Sequence, residues 1–347
     1  MEPGSRISRV YRWDLDKTYL RTEFDTLRDL LRTAFEGAKD KRTIPGAATL
    51  LRELRGVRSP DGGVARVCFI SGSPRQMRRV LTEKLHLDGV RFDEFILKPN
   101  LRNMLTGRFR AMREQVGYKL PALLSGRAGL PVETREVCFG DDAESDAFIY
   151  SLYADVLAGI VGRDLLGQIL DGAGVYPEDA ARTIELAAAL PRADAVERIF
   201  ILLDRRSAPR RFDRYGARLV PIYNYFQAAL VLFQDQLLDA PAVMRVALEM
   251  ADKHGYSLDM LRNSLQDVLR RGRVQPAAVQ ALGQAVLDSS QQLPALGELP
   301  AARDLVRAFA QRMRELGPLP SEVPPPAQGP IDYLKAMEED LPRVRRR

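Results

Sequence analysis

Through the first two-thirds of the chain, short apolar runs alternate with longer stretches in which apolar residues recur every three or four positions. The short runs, rich in β-branched and aromatic residues, predict strands at Arg9–Trp13, Ala65–Ile70, Glu136–Phe139 and Arg198–Leu203. The longer stretches predict helices over Phe24–Phe35, Gly46–Leu54, Pro74–Leu85, about Asn100–Gln115, Asp146–Val161 and Pro177–Leu190. Strand and helix taking turns in this way is the pattern of an α/β fold with a mostly parallel sheet. The first three strands each run directly into a polar cluster. In open parallel sheets ligands bind outside the carboxyl ends of the strands, so those clusters are where chemistry is expected.

The pattern changes after the fourth strand. A basic stretch, RRSAPRRFDR (205–214), leads into LVPIYNYFQAALVLFQDQLL (219–238), read as one buried helix with Tyr223, Tyr225 and Phe226 in the core. From Pro241 to about Leu316 the periodicity is purely helical. A Pro-rich linker, the helix-like IDYLKAMEED and a basic RVRRR tail follow. We therefore expect a catalytic-type core over 1–236, a helical appendage over 237–316, and a linker with tail over 317–347.

Composition narrows the class. The chain has 347 residues, 46% hydrophobic and 28% charged, enough for a real core and too ordered in composition for wholesale disorder. The net charge of +6 comes from 52 basic against 46 acidic residues, and only eight of the basic ones are lysines. Arginine is the better phosphate clamp, but the excess alone names no partner. Cys68 and Cys138 sit inside apolar runs and read as buried, reduced thiols. Two histidines, His86 and His254, with no CxxC argue against a zinc site. No apolar run reaches the roughly 18 residues of a membrane span, and the first residues lack a signal-peptide core. These features point to a cytoplasmic protein.

The candidate chemistry lies in four places. Asp14 and Asp16, in Trp13-Asp14-Leu15-Asp16-Lys17-Thr18, follow the first strand. Where the chain curls away, one carboxylate can attack phosphorus while the other protonates the leaving oxygen and later activates water. Such crowded negative charge calls for Mg²⁺, which prefers carboxylate and carbonyl oxygens. Ser71 and Gly72, in Ile70-Ser71-Gly72-Ser73-Pro74, offer a hydroxyl and amides at a helix start, a phosphate cradle. Lys119, in Tyr118-Lys119-Leu120-Pro121 at the start of a later helix, could act as a fixed positive charge, with Lys98 as the competitor. Finally Asp141, Asp142 and Asp146 follow the third strand, an acidic cluster that is costly without a cation and that also suits a helix N-terminus.

Together these motifs resemble the haloacid dehalogenase-like (HAD) phosphohydrolases, with DxDxT, a Ser, a Lys and GDxxxxD in that order. Within that superfamily the sequence is similar to phosphatidate phosphatase catalytic domains of the actin-patch and lipin type, through ISGSP, KLPALL and GDDAESDAFIY, over about residues 9–160. It departs from them in having Asp142 where they carry Ser, and Ala147-Phe148 where they carry Pro-Glu. The resemblance implies a Rossmann-like parallel sheet with helices on both faces, a small or absent cap, and here an added C-terminal all-helical region. It implies Asp14 as nucleophile and Asp16 as general acid/base. Thr18, Ser71, Gly72 and Lys119 would contact the phosphoryl group. Mg²⁺ would be held by Asp14, the Asp16 carbonyl, Asp141 and Asp146, with Asp142 as the alternative to the last.

A small cap suggests an open site for a large substrate, bordered by the basic residues 98–115. The expected activity is Mg²⁺-dependent hydrolysis of a phosphate monoester through a phospho-aspartate, with a phosphatidate-like headgroup at a membrane surface as the leading substrate. A phosphatase acting on nucleic-acid ends or protein, and a non-catalytic scaffold on the same fold, are the competing readings. Nucleic acid stays open as a partner, and the sequence leaves the oligomeric state undetermined.

Overall fold

The computed structural model describes residues 6–21, 41–57, 62–98, 108–289 and 329–340, with the isolated positions 304, 307, 308 and 311. The expected helix at Phe24–Phe35, the Pro-rich linker, the RVRRR tail and most of the chain beyond 289 lie outside these residues. So do positions 100–107 of the helix expected from Asn100.

Six strands form one sheet: β1 (Ile7–Asp14), β2 (Val64–Pro74), β3 (Glu94–Lys98), β4 (Arg135–Asp141), β5 (Val196–Leu202) and β6 (Leu219–Ile222). Their order is β3-β2-β1-β4-β5-β6, and the β1–β2, β1–β4, β2–β3 and β4–β5 pairings are all parallel. With α1 (Ala47–Gly56), α2 (Arg78–Leu87), α3 (Arg108–Ala128), α4 (Asp146–Leu157), α5 (Arg163–Gly172) and α6 (Pro177–Ala189) between the strands, this is the expected α/β architecture. The chain leaves β1 toward β2 on one side, and β4 lies on the other. The gap outside the ends of β1 and β4 is thus the topological switch point where such sheets bind ligands.

Alternation within β1 sorts its side chains. Trp13 stacks on Phe139 of β4 at 4.0 Å, and Phe139 stacks on Phe200 of β5 at 5.0 Å, a ladder across three neighbouring strands in register. Arg12 and Asp14, one step either side of Trp13, therefore face the opposite layer.

Several elements differ from the sequence expectation. β3 went unrecognised because EFILK is too short to show alternation. The strand LVPI runs without a polar break into the next apolar stretch, so two elements read as one helix; the helix itself, α7 (Tyr225–Gln234), starts where Asn224 accepts the Gln227 amide at 3.2 Å. Tyr225 and Phe226 are buried, but Tyr223 is 43% exposed and is not core. The helix expected to run to Val161 ends at Leu157, and α5 follows it. Lys119 does not open a helix: it lies well inside α3, which also contains Pro121.

The chain divides into two compact units, one of residues 1–43, 58–221 and 328–347, the other of 44–57 and 222–327. The expected boundary at 236 lies inside the second unit, and α1 belongs there too. That unit holds α7, α8 (Ala240–His254), α9 (Leu258–Arg270) and α10 (Pro276–Ser289). Its helices are tied by a two-pronged Arg245–Glu53 pair at 2.7 and 2.6 Å, and by the Gln227 amide to Ser264 O at 2.9 Å. In the first unit α11 (Tyr333–Asp340) is a packed element. Tyr333 is buried edge-on to Phe148 and donates to Asp155 Oδ2 at 2.7 Å. Among the described residues no helix is long and apolar enough to cross a membrane.

Candidate active site

The ends of β1 and β4 carry the acidic residues, and two helices bring their partners. Lys17, at φ 59°, takes the left-handed conformation just after β1, which turns the chain so that Asp14 and Asp16 part company. Asp14 stays in the buried layer, where Lys119 Nζ from α3 donates to its Oδ1 at 2.8 Å. Asp14 Oδ2 is buried and has no hydrogen-bond partner among the described residues. Asp16, half-buried, accepts at Oδ2 from Ser71 Oγ at 2.8 Å and from Ser73 Oγ at 2.6 Å.

Lys119 uses all three of its donors. Besides Asp14 it reaches Glu144 Oε2 at 2.9 Å and Asp146 Oδ1 at 2.5 Å. Asp141 is held by its own turn, accepting the Ala143 and Glu144 amides at 2.6 and 2.9 Å through Oδ1 and the Thr18 hydroxyl at 3.2 Å through Oδ2. The Asp141 amide donates in turn to Asp146 Oδ2 at 3.3 Å. Asp142 points elsewhere: its two oxygens accept the Arg205 and Ser207 amides at 2.8 and 3.0 Å. Lys98 ends β3, two strands from β1. Of the two lysines considered, Lys119 is the one hydrogen-bonded to Asp14.

Asp14, Asp141 and Asp146 are fully buried and each offers an oxygen within 4.8 Å of the others. Burial pushes the Asp14 carboxyl well above the usual range; Lys119 pulls it back, and Asp146, Glu144 and Asp141 push it further up. Asp141 is raised in the same way, by burial and then by Asp146 and Glu144. Burial also raises Asp146, against the pull of Lys119. Lys119 is held well above the ordinary lysine value: burial works against its charge, but Asp14, Asp146 and Glu144 outweigh it. Asp16 is raised by burial, with the Ser73 hydrogen bond opposing. With Asp14, Asp141, Glu144 and Asp146 all ionised around one ammonium, the cluster is short of positive charge. A set of three buried carboxylates, all oxygen donors, fits a hard divalent cation such as Mg²⁺.

Four participants were not singled out from the sequence. Ser73 grips Asp16 alongside Ser71, and the signal was present: it lies two residues on, on the same side of an extended chain. Glu144 is a partner of Lys119 that no spacing argument reveals. Gly140 passes so close to Asp146 that an added Cβ would sit 2.5 Å from its carboxylate. The Tyr118 hydroxyl is buried without a partner among the described residues; burial raises it above the tyrosine range, and Lys119, Arg75 and Arg78 oppose while Asp14 adds. Gly72, by contrast, has open space around it.

No curated protein and no solved structure matches the chain. The clustered side chains of β1, β2, α3, β4 and α4 all fall within residues 13–162, the stretch that matches the family model described as the phosphatidate phosphatase APP1 catalytic domain.

Proposed function

We propose that the first unit is a Mg²⁺-dependent phosphatase of the HAD type, cleaving a phosphate monoester through a phospho-aspartate, with phosphatidate as the leading substrate. The observation that carries this reading is the state of Asp14: one oxygen fixed by Lys119, the other buried and unpaired at the switch point of a parallel sheet. That is the arrangement a carboxylate nucleophile needs. The match over residues 13–162 supports the choice of substrate.

Asp14, Asp141 and Asp146 would hold the ion through their carboxylates, and Asp16 through its backbone carbonyl. When bound, it supplies positive charge that offsets the crowded carboxylates and the phosphoryl oxygens. Asp14 Oδ2 attacks phosphorus as the bond to the leaving alkoxide breaks, and the Asp16 carboxyl gives that alkoxide its proton. Asp16, now ionised, takes a proton from water as the water oxygen attacks the acyl phosphate, releasing inorganic phosphate and free Asp14. The burial that raises Asp16 suits the acid half of this cycle. Ser71 and Ser73 orient Asp16 until a phosphoryl group arrives, and the Ser71 hydroxyl, Gly72 amide and Thr18 then serve that group, with Lys119 balancing its charge.

The test is hydrolysis of p-nitrophenyl phosphate and of phosphatidate, with Mg²⁺ and with EDTA, by wild type, Asp14→Asn and Asp16→Asn. Mg²⁺-dependent turnover that falls to background in both variants is expected. Turnover that survives Asp14→Asn removes the nucleophile. Mg²⁺ binding with every phosphate ester left intact favours the scaffold.

A further inference from the structure

The Tyr118 hydroxyl takes no part in the chemistry described so far. It is buried and has no hydrogen-bond partner among the described residues. Leaving a buried hydroxyl unpaired costs stability, and folded chains keep few such groups. Asp14 Oδ2 is in the same condition. One of these atoms is an acceptor and the other carries a proton to donate, yet the two are not bonded to each other.

The helix α3 fixes where the hydroxyl stands. Residues three and four apart share a helix face, and Gln115 is three before Tyr118 and four before Lys119. Gln115 Oε1 accepts the Ser145 amide at 2.9 Å, while Lys119 Nζ donates to Asp14, Glu144 and Asp146. This face of α3 therefore covers the turn between β4 and α4, and Tyr118 is one step round the helix from Lys119. Tyr118 packs against the core cluster that contains Ile70, the residue before Ser71. Arg75 and Arg78, which follow β2, act on its hydroxyl together with Lys119 and Asp14. Tyr118 thus stands on the β2 side of Lys119, toward the Ser71 segment.

Most of the charged groups around the hydroxyl cannot receive its proton. Lys119, Arg75 and Arg78 carry donors only. Asp14 Oδ1 is taken by Lys119, and Oδ2 makes no hydrogen bond. An incoming phosphoryl group supplies what both unpaired atoms lack: phosphorus for Asp14 Oδ2 and an anionic oxygen for the hydroxyl. We propose that Tyr118 is a further catalytic residue, donating its hydroxyl to a non-bridging oxygen of the phosphoryl group as Asp14 Oδ2 attacks phosphorus. This role rests on the phosphatase reading; contact with the oxyanion does not, because orthovanadate binding reports it without turnover. The proton stays on Tyr118 throughout, since burial holds the hydroxyl above the tyrosine range. A neutral phenol adds a fixed donor where charge develops and leaves the charge balance to Lys119 and the ion.

The experiment compares the full chain with Tyr118→Phe, which keeps the ring and removes the hydroxyl alone. With p-nitrophenyl phosphate and Mg²⁺, kcat and kcat/KM should fall together by about 10²-fold, the loss of one donor to the transition state. Orthovanadate, titrated calorimetrically with Mg²⁺ present, should bind at least about tenfold more weakly. Urea unfolding without ligand should find Tyr118→Phe no less stable than wild type, because no internal hydrogen bond is lost. Unchanged kcat or unchanged orthovanadate binding would overturn the role. So would a loss of stability alongside the loss of turnover, which would give the hydroxyl a partner inside the fold. If wild type hydrolyses no monoester yet binds orthovanadate more tightly than Tyr118→Phe, the phosphatase reading falls and the contact stands. If wild type does neither, both fall.

Discussion

The Asp146 side chain fills the space that a side chain on Gly140 would take. A Cβ on Gly140 would lie 2.5 Å from both Cβ and Oδ2 of Asp146 and 2.8 Å from its Cγ. Only a residue without a side chain lets the end of β4 pass under the first turn of α4, and that passage puts Asp146 beside Asp141 and Lys119. Gly140→Ala should therefore displace the Asp146 carboxylate and weaken divalent-ion binding by about 10–100-fold. The added methyl should also lower stability by ~1–3 kcal/mol. Gly72→Ala, where nothing lies within 4 Å, is the matched substitution and should leave both unchanged. Calorimetric titration with Mg²⁺ on the three proteins reads the first effect, and urea unfolding reads the second.

One layer below the cluster, a second set of charges ties together the same four elements. Arg12 of β1 pairs with Glu136 of β4. Arg127 of α3 reaches Glu136 Oε1 at 3.2 Å, and the Tyr153 hydroxyl of α4 lies 3.0 Å from both carboxylate oxygens. All four are buried, and an added Cβ on Gly126 would come within 2.9 Å of Arg12 Nη1, so α3 rides directly over the pair. Breaking a buried ion pair from one side leaves an uncompensated charge. Glu136→Ala should cost about 3–5 kcal/mol in urea unfolding. Tyr153→Phe should cost about 1.5–3 kcal/mol, the loss of a hydrogen bond to a charged acceptor. Equal, small effects from the two would show that the pair is already wet.

Burial protects the two thiols. Cys68 is pushed up to about 12 by burial, partly opposed by Arg12, and Cys138 is raised further by burial and Glu136. Below pH 9, where an unfolded thiol is still protonated, this makes no difference to stability. Between pH 9 and 12 the unfolded chain releases protons that the folded chain keeps, so stability falls by up to ~1.4 kcal/mol per pH unit for each thiol. Tyr11, pushed up to about 12 chiefly by burial, joins above pH 10. The native chain should resist a thiol reagent at pH 8 and react at both cysteines once unfolded. A fast-reacting native thiol would contradict the burial.

The sequence was most informative where chemistry and strand ends coincide. Asp14, Asp16, Ser71, Lys119, Asp141 and Asp146 were all singled out from it, because each lies in a polar cluster against an apolar run or in a motif with fixed order. Glu144, Ser73 and Gly140 were not. Ser73 had a signal, the period-two spacing from Ser71, whereas the parts of Glu144 and Gly140 depend on how close two elements pass, and that distance has no periodicity to betray it. The same limit hid β3, too short to alternate, and β6, fused to the apolar start of α7. The α11 helix read as part of a tail because its anchor, Asp155, is 178 residues from Tyr333.

Asp142 poses the sharpest local question, since Asp141, Asp142 and Asp146 share one turn and either of the last two could have been a ligand by spacing. Its carboxylate caps the Arg205 and Ser207 amides instead, so its charge is spent on the β5 turn rather than on the cluster. Asp142→Ala should leave Mg²⁺ affinity and hydrolysis of p-nitrophenyl phosphate close to wild type. It should release the turn, and the exposed Arg205 and Arg206 would then become fast sites for trypsin. Asp146→Ala should do the reverse, because it removes a buried oxygen donor and one of the three partners of Lys119 while the turn stays capped. Limited trypsin digestion, read by mass, and Mg²⁺ titration on the two variants separate the roles. Lost Mg²⁺ affinity in Asp142→Ala with an intact turn would exchange them.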